Sequence, residues 1–102
     1  MRRGRRGRRR RLPTPVFIGK KPLADQYTPN TTVDRPYVEL EPAEIEALRL
    51  VDMLSHSQEE AGEMRGVSRG TVWRLLQEAR KKTAKALTEG RGIRITSDNE
   101  ED

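Results

Sequence analysis

No cysteine occurs in this sequence, and histidine, tryptophan and phenylalanine occur once each. Without cysteine there are no disulfides and no thiolate metal sites, and the lone His56 cannot supply the usual zinc ligand set. No nucleophile–base pair, metal set or phosphate-binding loop is present, so neither an enzyme nor a cofactor is expected. Long apolar runs are missing too. After the basic N terminus only Val16, Phe17 and Ile18 are consecutively apolar, too few for a signal-peptide core or a membrane span. The expectation is a cytoplasmic protein with no membrane partner, and at 102 residues with 32% hydrophobic content it has room for one small domain.

Charge, by contrast, is plentiful and sorted. The net charge is +5, and eight of the 21 basic residues fall in the first eleven positions. The remainder carries 13 basic against 16 acidic residues, or −3. From Glu39 to Glu63 there are eight acidic residues and one basic one, Arg49, whereas Ser68 to Leu87 holds Arg69, Arg74, Arg80, Lys81, Lys82 and Lys85 against Glu78 alone. A polyanion would therefore be attracted to particular faces and not to the whole surface.

Residues 1–11, MRRGRRGRRRR, hold no apolar residue beyond Met1 and are expected to be disordered when free. Arg3-Gly4-Arg5 and Arg6-Gly7-Arg8 are similar to the Arg-Gly-Arg cores of arms that enter narrow A·T minor grooves, which makes Arg5 and Arg8 candidate DNA contacts. Phosphate or RNA binding, or a solubilising role, are the alternatives for this arm. Residues 12–36 hold five of the six prolines and read as an extended linker, within which Val16, Phe17, Ile18 and Tyr27 are able to dock on a core. Tyr37 to Leu40 and Gly92 to Ile95 alternate with period two, and the two short strands are expected to pair, within one chain or across a dimer. Residues 97–102, SDNEED, form an acidic frayed tail.

Pro42 suits the first turn of a helix running to about Leu54. Ile45, Ala47, Leu48, Leu50, Val51 and Leu54 make its broad apolar face, and Glu44, Glu46 and Asp52 are assigned to solvent. His56 falls in the following connection. Ser57 and Glu60 then form a capping box that marks a second helix start. Gly66 suits a sharp turn, and Ser68 caps a third helix running from Arg69 to about Thr88 and ending at Gly90. This is the layout of a helix-turn-helix. Counting from Gln58, the small fifth residue is Gly62, the ninth in the turn is Gly66, and the apolar tenth, fifteenth and eighteenth are Val67, Val72 and Leu75. Arg65, at the usually apolar eighth position, departs from the pattern, so either Met64 turns inward or the turn is irregular.

In the third helix Val72, Leu75, Leu76, Ala79, Thr83 and Ala86 or Leu87 form a core stripe. Ser68, Arg69, Gly70, Trp73, Arg74 and Gln77 fall on the opposite face of its first turns, where a recognition helix meets base edges in the major groove. Arginine to guanine and glutamine to adenine are the geometrically favoured pairings. Gly70 permits close backbone approach, and Arg80, Lys81 and Lys85 are suited to phosphates. Trp73 has two other readings, as cover for an apolar gap between helices or as part of a dimer interface.

Positions 38–95 contain EALRL at 46–50, QEEA at 58–61, GVSRGTVWR at 66–74, ARKK at 79–82 and EGRGIRI at 89–95. In this order they resemble the prokaryotic family catalogued as domain of unknown function 134, or uncharacterised protein family 0251. That family in turn resembles the fourth region of bacterial sigma factors, so the resemblance implies a trihelical, regulator-like DNA-binding domain. Gly62, where the family more often has alanine, and Arg65 are departures from it.

The sequence thus predicts a mainly α protein. Its small trihelical helix-turn-helix domain spans about Tyr37 to Thr96, with a two-stranded β pairing of its flanks and a disordered Arg-rich N-terminal arm. The expected function is transcriptional regulation in contact with the nucleoid, with double-stranded DNA as partner. RNA polymerase or another transcription protein, docked on an acidic first helix, is a further candidate partner, RNA binding through the arm is the competing class, and a homodimer is left open because one such motif reads few base pairs.

Overall fold

The computed structural model describes residues 16–31 and 34–96. The chain runs β1 (Gln26–Tyr27), β2 (Val38–Leu40), α1 (Pro42–Ala47), a π-helical segment (Leu48–Met53), α2 (Gln58–Arg65), α3 (Arg69–Glu89) and β3 (Ile93–Ile95). The arm, the tail and the candidate contacts Arg5 and Arg8 lie outside the described residues.

The helix ends follow local chemistry. Glu41 precedes Pro42 with an extended backbone, and its N–H donates to Glu44 Oε1 at 2.9 Å. At the start of α2, Ser57 Oγ accepts from the Glu60 N–H and Glu60 Oε1 accepts from the Ser57 N–H, both at 3.0 Å, which satisfies two otherwise unpaired donors. Gly66 closes α2 at φ +77° and Gly90 closes α3 at φ +67°, left-handed conformations that favour glycine. Ser68 Oγ caps α3 by accepting from the Thr71 N–H at 3.1 Å. The first helix is not uniformly α as expected: after Ala47 its turns widen, and the Leu54 N–H bonds to Arg49 O, five residues back. Ser55, at φ +67°, then ends it.

The strands flanking the helices pair within one chain. β2 and β3 are parallel, Val38 opposite Ile93 and Leu40 opposite Ile95, with α1 to α3 as the crossover between them. The sheet has three strands and not two, because β1, from the proline-rich segment, pairs antiparallel with the other edge of β3, Tyr27 opposite Ile93. Tyr37 carries the Arg94 guanidinium 4.6 Å above its ring.

Ala47, Leu50, Ala61, Val72, Leu75 and Leu76 form the core between the helices. Val38, Leu40, Ala79 and Ala86 are also buried. Of the two candidates for the end of the α3 stripe, Ala86 is buried and Leu87 is 78% exposed. Gly62 is where α2 closes on the turn before α3: a Cβ there would stand 2.6 Å from Val67 O. The sheet joins α3 toward its C-terminal end, while the first turns of this 21-residue helix pack on α1 and α2 by one side and leave the other side exposed.

Candidate nucleic-acid interface

At 100° per residue, the positions of α3 divide into two halves. The buried half is Val72, Leu75, Leu76, Ala79 and Ala86. Gly70, Trp73, Arg74, Gln77, Arg80 and Lys81 fall on the other half, Arg69 lies at its margin in the first turn, and all are exposed. The structure therefore brings the α3 residues predicted from the sequence onto one exposed surface along the N-terminal part of the helix.

Their individual situations differ. Arg69, Arg74, Lys81 and Lys85 make no ion pair among the described residues. Trp73 is 54% exposed, which does not fit the reading that it fills a gap between helices. Ser68 Oγ is committed to the cap and lies 3.1 Å from Thr71 Oγ1 as well, so its role is to set the first turn of α3. At Gly70 an added Cβ would meet only Ser68 Oγ, at 3.8 Å. Among the described residues nothing requires glycine there.

Arg80 is not a free cation. Its Nη2 and Nε donate to the two Asp52 oxygens at 2.7 and 3.1 Å, a two-pronged bond from α3 to the π-helical segment. The Arg80 guanidinium holds the Asp52 carboxyl below its ordinary range. Lys82 Nζ is likewise engaged, 2.9 Å from Glu44 Oε2. His56 stays near the surface, its Nδ1 3.5 Å from Glu60 Oε1.

Two acidic assignments are corrected. Glu44 and Glu46, expected on a solvated face, are buried, whereas Asp52 stays exposed as expected while pairing with Arg80. The buried pair are tolerated because each meets a cation. Glu46 takes Arg49 Nε on Oε1 at 3.2 Å and Arg49 Nη2 on Oε2 at 2.9 Å. Its Oε2 also accepts the Gly19 N–H at 2.9 Å and stands 3.2 Å from Arg65 Nε, an ion-pair contact without hydrogen-bond alignment. Burial alone pushes the Glu46 carboxyl up, yet the hydrogen bonds from Arg49 and Gly19 and the charges of Arg49 and Arg65 outweigh it and lower it below the ordinary value.

This also accounts for Arg65. It is Arg65 itself that turns inward, its side chain 18% exposed, while Met64 is 43% exposed and the turn keeps its left-handed glycine. The sequence signal that could have found the pair is two reciprocal anomalies: an arginine at an apolar motif position, and a glutamate one residue from the apolar stripe of the first helix.

The sequence reading left open whether Val16, Phe17, Ile18 and Tyr27 dock; Val16 does, whereas Phe17 and Tyr27 stay 63% and 58% exposed. Val16 packs on the core, and the Phe17 N–H donates to Arg65 O at 3.2 Å. Among the described residues no helix is long and apolar enough to cross a membrane.

Comparison with known proteins places these features in a family. The family model described as protein of unknown function DUF134 matches residues 1–101. A UPF0251 protein of Pyrococcus furiosus is 46% identical over 93 residues, covering 88% of this chain and 83% of the relative. One from Archaeoglobus fulgidus is 44% identical over 85 residues, covering 83% and 81%. Another, from Thermococcus kodakarensis, is 48% identical over 81 residues, covering 79% of this chain and 58% of its own. No solved structure is a significant match. By the extent of these matches, the chain belongs to the DUF134 (UPF0251) family of prokaryotic proteins.

Proposed function

We propose that this protein binds double-stranded DNA through the exposed face of α3 and acts as a transcriptional regulator. The observation that carries the proposal is the outward side of α3: Arg69, Trp73, Arg74, Gln77 and Lys81 are all exposed along the N-terminal part of the helix that follows the left-handed turn at Gly66. In a helix-turn-helix this is the surface that enters the major groove. Arg69 and Arg74 supply donors for guanine edges, Gln77 matches adenine, and Lys81 and Lys85 serve phosphates. Gly70 supports the same reading. A glycine in a helix is unfavourable by up to about 1 kcal/mol against alanine, and an external surface approaching closely is a reason to keep one where internal packing has none. Arg80, held by Asp52, is assigned to scaffolding and leaves the list of free phosphate contacts.

Docking on transcription proteins through an acidic first helix loses support, since Glu44 and Glu46 are buried and Asp52 is paired. RNA binding through the arm stays as the competing reading. The test is selection of bound fragments from random duplex DNA at moderate salt, followed by titration of the selected site against duplex RNA of the same sequence. Enrichment of a short motif is expected. Arg69→Ala and Arg74→Ala should each weaken binding, and Lys81→Ala should reduce the dependence of log affinity on log salt by about 1. No enrichment, or stronger binding to RNA, overturns the proposal.

A further inference from the structure

α3 carries six cations, Arg69, Arg74, Arg80, Lys81, Lys82 and Lys85. Two of them are held by acids of the first helix, for different reasons. Lys82 meets Glu44, whose side chain is only 5% exposed and needs a counter-charge where it lies. Asp52 and Arg80 have no such need. Their side chains are 40% and 45% exposed, open enough for water to solvate either charge alone, and an ion pair of this kind adds little to stability. The pair is nevertheless closely built. Arg80 Nη2 and Nε donate to the two Asp52 oxygens at 2.7 and 3.1 Å, and this bonding lowers the Asp52 carboxyl and raises the Arg80 guanidinium, so both stay charged together. Its place on α3 gives it a use. Arg80 is exposed on the same side as Arg74, Gln77 and Lys81, where a free guanidinium would take a phosphate and add affinity without sequence information.

We propose that Asp52 withholds Arg80 from the phosphate backbone and so holds down binding that is independent of sequence. The proposal deepens the DNA-binding reading of α3 and depends on it. Asp52 is the positioning residue: it touches no base and acts through Arg80. Because the fold ties it to Arg80, it competes with an incoming phosphate at high effective concentration, and its own charge repels that phosphate. Arg80 is thereby kept out of the count of phosphate contacts. Each cation that does reach a phosphate releases counterions and steepens the fall of log affinity with log salt by about 0.9. A genome offers a vast excess of non-specific sites, so each sequence-independent contact that is withheld leaves more protein free to find its target.

The experiment titrates the full chain against a pool of random-sequence duplex DNA at several salt concentrations and compares wild type with Asp52→Asn, Arg80→Gln and the double variant. Asp52→Asn keeps the size of the side chain and frees Arg80. It should bind more tightly at low salt and steepen the salt dependence by about 0.9, so that between about 50 and 200 mM salt it loses about 3.5-fold more affinity than wild type. Arg80→Gln should leave the wild-type salt dependence unchanged, and the double variant should match it, because the added contact belongs to Arg80. A flatter dependence in Arg80→Gln means that Arg80 reaches phosphate despite Asp52 and overturns the proposal. So does an unchanged dependence in Asp52→Asn, or one that steepens equally without Arg80, which would be a general effect of charge. If Asp52→Asn does not fold, Arg80→Gln alone decides by the same criterion. These outcomes leave α3 as the DNA reader, whereas failure of the wild-type protein to bind duplex DNA overturns both readings.

Discussion

Replacing Glu46 with alanine should cost far more stability than replacing its weaker partner Arg65 with methionine. The buried carboxylate accepts hydrogen bonds from Arg49 at 2.9 and 3.2 Å and from the Gly19 N–H at 2.9 Å, and it neutralises Arg65 at 3.2 Å. Its removal leaves two guanidinium groups, on side chains 21% and 18% exposed, facing each other without a counter-charge. The Gly19 amide loses its acceptor as well. Breaking a buried pair by removing one member costs roughly 3–5 kcal/mol, and the partial exposure of the arginines points to the lower end, about 3 kcal/mol. For a domain of this size each kcal/mol shifts Tm by roughly 4–8 °C, so Glu46→Ala should lower it by about 12–24 °C. Arg65→Met keeps the apolar stem, and Glu46 remains bound by Arg49 and Gly19. Only a poorly aligned contact is lost, so the expected cost is about 1 kcal/mol. Urea and thermal unfolding followed by far-UV circular dichroism measure both. Equal losses for the two variants, or a Glu46→Ala protein within about 1 kcal/mol of wild type, would refute the assignment of Glu46 as the buried anchor.

Because the Glu46 carboxyl is held below its ordinary value of 4.5, its contribution to stability is complete above that pH and is lost as pH falls through the lower folded-state value. Wild-type stability in urea should therefore fall more between pH 7 and pH 3 than that of Glu46→Gln; parallel losses would assign the acid sensitivity elsewhere. Gly70→Ala should raise stability by up to about 1 kcal/mol while lowering affinity for the selected duplex, and unchanged affinity would remove Gly70 from the interface. Leu76→Ala, at a side chain with no exposure, should destabilise by about 2–5 kcal/mol, whereas Leu87→Ala, at 78% exposure, should be near neutral in the same unfolding assay. Comparable losses at the two sites would mean that the buried stripe of α3 is in a different frame.

Much of this architecture is written locally. Ser57 with Glu60, Gly66, Ser68 and Gly90 each act on backbone groups within a few residues, so the helix limits follow from neighbours in the chain. The three- and four-residue spacing of Val72, Leu75, Leu76 and Ala79 selects the face of α3 that is buried and leaves Arg69, Trp73, Arg74 and Gln77 on the other. The alternation of Val38–Leu40 and Ile93–Ile95 was enough to pair those strands, though not to supply the third: Gln26–Tyr27 is two residues with no pattern of its own, positioned only by the free edge of β3.

What depends on partners distant in the chain could not be read that way. Glu46 looks like a surface residue until Arg65 and Gly19, nineteen and 27 positions away, arrive beside it. Arg80 looks like a free phosphate contact until Asp52, 28 positions upstream, takes it. A charge is exposed or buried according to what stands opposite, and helix periodicity records only which side it is on. The sequence by itself therefore determined where α2 and α3 begin and end and which face of α3 is exposed, because caps and helix periodicity act between near neighbours. The packing of α1, α2 and the Val16–Gly19 segment decided which charges are buried or paired and which remain available on that face.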